Sequence, residues 1–163
     1  MICCVTCAAR PALADPPGPT PAFFAPLNIS APLQAHESLL QETLMARMLA
    51  TGRFAASVTA ETEATVAQCV RQINRDATAE QCWVRVGQGQ GAEVLVGGKV
   101  VGDERSCNVS VALTQLETRV SPRMHVTLLE PCGKAELMAE MARAAQVLAG
   151  LPAPEPAVRP ATE

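Results

Sequence analysis

Apolar and polar residues alternate with a period of two along two stretches in the second half of the chain. Cys107, Val109, Val111 and Leu113 interleave with Asn108, Ser110, Ala112 and Thr114, and Met124, Val126 and Leu128 interleave with Arg123, His125 and Thr127. Successive side chains of a strand point to opposite faces, so each stretch predicts a strand with one buried face. Upstream, Val94–Val96 and Val100–Val101 flank Gly97 and Gly98, which predicts a third strand with a bulge or a close backbone approach at the glycines. Residues 91–128 thus predict a three-stranded antiparallel meander, with Pro122 at the start of its last strand or on an edge.

Elsewhere the pattern is mostly helical. Leu40, Leu44 and Met48, with Leu39, Met45 and Leu49 beside them, predict a helix over 33–50, and Gly52 follows where a left-handed cap is wanted. Val66, Cys69, Val70 and Ile73 form the buried stripe of a second helix that opens on Glu61 and Glu63 and breaks at 74–76. A third helix over 77–87 carries Cys82, Trp83 and Val86 inward. A last helix over 135–149 carries Leu137, Met138, Met141, Ala145 and Leu148 and stops at Gly150. Short apolar runs at 23–29 and 53–59, the latter burying Phe54 and Val58, predict strands, with Pro26 placed at an edge or bulge. The order β-α-β-α-α-β-β-β-α predicts an α/β (α+β) fold built on a single mixed sheet.

Composition narrows the function classes. Hydrophobic residues make up 48% of the 163 and aromatics only 2%, so the core is aliphatic and the stacking platforms of single-stranded nucleic acid binders are missing. A formal net charge of -3 offers no attraction to phosphate, which argues against a nucleic acid partner. No run approaches the ~20 apolar residues of a membrane span. Residues 1–14 read as a truncated signal peptide, with Ala12-Leu13-Ala14 as its cleavage pattern. Residues 15–22 read as a Pro-rich linker, 23–150 as the folded domain and 151–163 as a disordered Pro/Ala tail.

Seven cysteines take their meaning from that leader. Cys3, Cys4 and Cys7 fall within it, and Cys4-Val5-Thr6-Cys7 has no second pair at zinc-site spacing. Four remain in the domain, an even number that points to disulfides in an exported chain. A hairpin turning at residues 119 and 120 sets Val111 opposite Leu128, Leu113 opposite Val126 and Cys107 opposite Cys132, and cross-strand Cα atoms ~4.5 Å apart lie within disulfide reach. Cys69 and Cys82 then staple the second and third helices. The expected pairs are Cys69–Cys82 and Cys107–Cys132; four free buried thiols in a cytosolic protein are the alternative.

Catalytic signals are weak. His36 and His125 belong to no ligand cluster and read as solvated or capping residues. Gly87, Gly89 and Ala92 imitate a dinucleotide motif but have a helix before and a strand after, the reverse of what it needs. Gly133-Lys134 lacks the rest of a P-loop, and no nucleophile elbow is present. No catalytic residue, metal site or cofactor is expected.

As a unit, the chain resembles the amino-terminal domain of TolB, an architecture shared with the curli secretion protein CsgG and the lipoprotein LpoB. Phe23–Ile29 resembles the family's Pro-containing first strand, Thr51-Gly52-Arg53-Phe54 its first helix exit, and Gly91-Ala92-Glu93-Val94-Leu95-Val96-Gly97-Gly98 its most specific segment. A hairpin strand ending near Leu116-Glu117 follows. The resemblance covers about residues 22 to 149, lacks a propeller behind it, and departs from the pattern in its four domain cysteines. It implies a non-catalytic, exported, periplasmic envelope module that contacts other envelope proteins, and is compatible with a homo-oligomer. A small secreted enzyme or enzyme inhibitor is the competing expectation. A deep polar pocket holding perturbed carboxylates or His125 would mark the enzyme, and a shallow surface with an unpaired strand edge the binding module.

Overall fold

Ala22 and Phe23 are neighbours on the first strand, yet their side chains enter two different cores. A strand buried on both faces belongs in the middle of a sheet, and the computed structural model, which describes residues 18–57, 62–73 and 79–152, places it there. Strand β1 (Thr20–Phe24) runs parallel to β3 (Phe54–Ala56) on one side and to β4 (Val94–Gly102) on the other. Strands β5 (Cys107–Gln115) and β6 (Arg123–Leu129) complete an antiparallel meander, giving the order β3-β1-β4-β5-β6. The short β2 (Asn28–Ile29) also pairs with β4.

Helices cover both faces. Helices α1 (Glu37–Ala50) and α4 (Lys134–Leu148) bring Leu40, Leu44, Met48, Leu137, Met141 and Leu148 onto one face, against Val94, Val96, Val109, Val111 and Leu113. Helices α2 (Thr62–Ile73) and α3 (Ala79–Gly89) close a smaller core on the other, where Cys69, Cys82, Val84 and Val86 meet Phe23, Leu95 and Leu116. The fold is the mixed α+β class with a single mixed sheet that the element order predicts.

The apolar run at 23–29 is two strands rather than one. Between Phe24, paired with Val96, and Asn28, paired with Lys99, the chain holds one residue more than β4 does, so the ladder bulges around exposed Pro26. Gln41 on α1 fills the gap: its Nε2 donates to the Ala25 carbonyl at 3.0 Å and its Oε1 accepts from the Leu27 N–H at 3.0 Å. The expected linker over 15–22 overlaps this element, because β1 begins at Thr20 and includes Pro21. A proline is tolerated there because it stands near the strand's start, where its carbonyl still accepts from Glu93 N–H at 2.9 Å.

Gly97 and Gly98 produce no bulge, since β4 and β5 pair without interruption from Val94–Gln115 to Gly102–Cys107. Close approach explains Gly98: a Cβ there would lie 2.5 Å from the Ser110 carbonyl oxygen and 3.0 Å from the Val111 Cα.

The β5–β6 register departs from expectation by three residues. Val111 pairs with His125 and Leu113 with Arg123 rather than with Leu128 and Val126. A tight turn at 119 and 120 does not form. Residues 116–122 make a wider loop in which Arg119 takes a left-handed backbone (φ 58°) and donates its N–H to the Gln115 carbonyl, while Gln115 N–H bonds to Val120. An odd-numbered slip moves every side chain of a strand to the other face. His125 and its neighbours therefore face α4, and Met124, Val126 and Leu128 face away from the main core.

The leader (1–14), Val58, Glu61, residues 74–76 and most of the tail lie outside the described residues, as do the side chains of Val70 and Ile73.

Candidate functional site: an apolar strand edge

Strand β6 is amphipathic in an unexpected sense, with its polar side turned toward α4 and its apolar side exposed. Arg123, His125 and Thr127 point toward α4 because their partners Leu113, Val111 and Val109 line the main core. His125 is thus neither solvated nor capping. Its Nε2 lies 2.5 Å from Oε1 of Glu140, a carboxylate only 1% exposed, and Arg143 Nη1 lies 2.5 Å from Oε2. Both carboxylate oxygens are therefore engaged, as a buried charge requires. Sequence reading missed Glu140, although it falls three residues after Leu137 and so on the buried stripe. His125 and Glu140 form a structural tie between β6 and α4, with no nucleophile among the described residues bonded to either.

Arg123 Nη1 donates to the Leu148 carbonyl at 2.9 Å, and Arg53 Nη1 to Ala149 at 2.6 Å. The two cations cap the negative end of α4. They also line an open cleft of about 880 Å³ at the end of the sheet, with Glu93, Glu117 and a floor of Phe54 and Leu116. Its polar lining includes Thr20, Thr118, Glu93 and Glu117 beside the two arginines. His125 is not part of this lining.

The opposite face of the meander is where apolar surface is left open. Helix α3 packs over β1 and β4 and ends beside β5, leaving a gap of about 420 Å³ lined by Glu80, Val84, Arg85, Thr114 and Arg119. Beyond the gap nothing among the described residues covers β6. Met124, Val126 and Leu128 are 60%, 54% and 61% exposed, and Val101, two strands away on the same face, is 54% exposed. Polar Asn108 and Ser110 lie between them, with Lys99 beside Ser110. Strand β6 is also the end of the sheet and pairs only with β5. Large exposed apolar patches often coincide with interaction surfaces, and an unpaired edge is a template for another strand.

The four domain cysteines are joined as two disulfides. Cys69 and Cys82 link α2 to α3 across a Cα separation of 5.6 Å, and Cys107 and Cys132 are 5.7 Å apart at Cα. The second pair is not cross-strand as the hairpin reading requires: Leu129 stands opposite Cys107. Cys132 reaches it from the loop after β6, where its N–H donates to the Glu104 carbonyl at 2.9 Å. The disulfide thus ties the entry to α4 onto the first residue of β5. No cluster of metal-ligating side chains occurs among the described residues, and no helix among them is long and apolar enough to cross a membrane.

Neither a known protein family nor a curated protein matches the sequence. The backbone does find counterparts. The LpoB C-terminal domain from Salmonella enterica superposes with a TM-score of 0.51 at 12% identity, over 69% of this chain and 84% of that one. The chain has the fold of LpoB and of the TolB amino-terminal domain. A PelC dodecamer subunit from Paraburkholderia phytofirmans matches with a TM-score of 0.51 at 14% identity, over 85% and 96% of the two chains. TolB from Acinetobacter baumannii matches with a TM-score of 0.50 at 14% identity, over 84% of this chain and 30% of that one. At such identities the likeness to LpoB, PelC and TolB establishes the shared fold and nothing finer.

Proposed function

We propose that this chain is a non-catalytic, exported module of the bacterial cell envelope that works in the periplasm by binding another envelope protein through the open face of β6. The observation that carries the reading is the exposed row of Met124, Val126 and Leu128 on an unpaired terminal strand. The partner fitted to it presents an apolar strip, because among the described residues the strands place a single charge, Lys99, on this face, with Glu80, Arg85 and Arg119 at its border. The LpoB- and TolB-like fold and the two disulfides support export. On this reading residues 1–14 are a leader, 15–19 Pro-rich residues ahead of the domain at 20–150, and 151–163 a Pro/Ala-rich tail. One protein of this fold, PelC, assembles as a dodecamer, so assembly of like copies lies within reach of the fold.

The test is chemical crosslinking in the envelope fraction of the source bacterium, followed by purification of the tagged full chain. The wild type is expected to retain one defined envelope protein, and Met124→Ser with Leu128→Ser to lose it while melting at an unchanged temperature. Absence of the chain from envelope fractions, or capture indifferent to those substitutions, would overturn the reading.

A further inference from the structure

We propose that two copies of the chain pair through β6, antiparallel about a two-fold axis at Val126, and so join their sheets into one. The inference extends the functional reading by naming what occupies the strand edge, and it does not depend on the identity of any other partner.

Three observations support it. Natural edge strands usually carry a lysine, a proline or a bulge that deters pairing, and β6 carries none of them over Arg123–Leu129 while its pairing with β5 is regular. Its two charge-bearing side chains are both turned away from the edge, Arg123 to the Leu148 carbonyl and His125 to Glu140. No repulsion therefore opposes a second copy.

The strand is also complementary to itself in one register. An antiparallel pairing centred on Val126 sets Met124 opposite Leu128 of the other copy and Val126 opposite its equivalent, so that every cross-strand pair on the open face is apolar. On the other face His125 meets Thr127, and Arg123 meets Leu129. No two like charges stand opposite each other. A register centred on His125 instead sets that residue against itself.

Size is adequate. Two seven-residue edges with their apolar rows remove on the order of 1,000 Å² from water, near the lower bound of a specific interface. The dimer would double the width of the apolar row, leaving Val101 of each copy at its flanks.

The experiment is sedimentation equilibrium on the oxidised full chain from micromolar to millimolar concentration, with Val126→Lys, Leu128→Lys and Val101→Lys, each checked for folding by circular dichroism. The wild type is expected at twice 17.1 kDa. Val126→Lys places two ammonium groups on the axis and is expected to weaken association about 100-fold. Leu128→Lys, which faces Met124, should weaken it too, whereas Val101→Lys, off the axis on the same face, should leave it intact. A wild type that stays at 17.1 kDa throughout, association untouched by Val126→Lys and Leu128→Lys, or loss with Val101→Lys as well would each overturn the proposal. The last outcome would indicate face-to-face packing. A monomer that still captures an envelope protein through Met124 and Leu128 would sink the dimer and leave the binding function standing.

Discussion

His125 on β6 and Glu140 on α4 meet at 2.5 Å, with Glu140 almost wholly excluded from water, a place where a carboxylate is rarely found. Removing one member of a buried pair strands the other, which is costlier than never having had the pair. Arg143 remains beside Glu140 after His125→Ala, so that loss is expected at about 1–3 kcal/mol and Glu140→Ala at a similar value. The double variant should then be more stable than the sum of the two single losses implies, with a coupling of about 1–2 kcal/mol in urea unfolding. Strict additivity would show that the contact contributes nothing.

Gln41 offers a second, simpler case. Its amide replaces two ladder bonds that the bulge at Pro26 breaks, and neither oxygen nor nitrogen alone does both jobs. Gln41→Leu keeps the packing volume but leaves the Ala25 carbonyl and Leu27 N–H without partners, for an expected loss of about 2–4 kcal/mol across the two groups. Gln41→Glu preserves the acceptor for Leu27 and loses the donor to Ala25, so it should fall between. Equilibrium denaturation of the three proteins settles the order.

What was legible in the sequence follows from which signals are local. The helical stripe Leu40-Leu44-Met48 and the alternation of Cys107 to Leu113 each come from one element meeting one core face, and both are buried as that logic requires. The register of β6 depends on a loop whose shape is set by Arg119 in a left-handed conformation, and no glycine or Asn-Gly pair announces it. That single unread loop inverted the strand and hid both His125 beside Glu140 and the exposed Met124 row. Gly97-Gly98 showed that something came close without showing what, since a bulge and a tight strand crossing leave the same residue behind.

The turn between β4 and β5 carries a pH signature. Asp103 is held below the ordinary carboxylate range by the backbone N–H groups of Arg105 and Ser106, which donate to its Oδ1, with a smaller contribution from the Arg105 charge. A carboxyl whose folded value is depressed stabilises the fold above its unfolded value and loses that contribution as pH falls through the folded one. Asp103→Ala should therefore melt modestly below the wild type at neutral pH, and the gap should close below pH 3.8 as the wild-type carboxyl takes up its proton. A gap that persists unchanged well below pH 3.8 would refute the charge-based account of this turn.

The Cys107–Cys132 bond closes a separation of 25 residues that includes all of β6, so reducing it frees the strand on which the interaction surface is built. Loop closure of that length contributes about 3 kcal/mol under the chain-entropy model. Cys107→Ser with Cys132→Ser should lower stability by that amount and speed amide exchange along β6 more than along β1, which two parallel neighbours hold in place. The Cys69–Cys82 bond closes only 13 residues between α2 and α3, so Cys69→Ser with Cys82→Ser should leave β6 exchange unchanged while loosening the smaller core. Mapping non-reduced peptides from the envelope-purified chain must first show both bonds. Equal effects of the two paired substitutions on β6 would mean that global unfolding, and not the tie at Cys132, governs the strand.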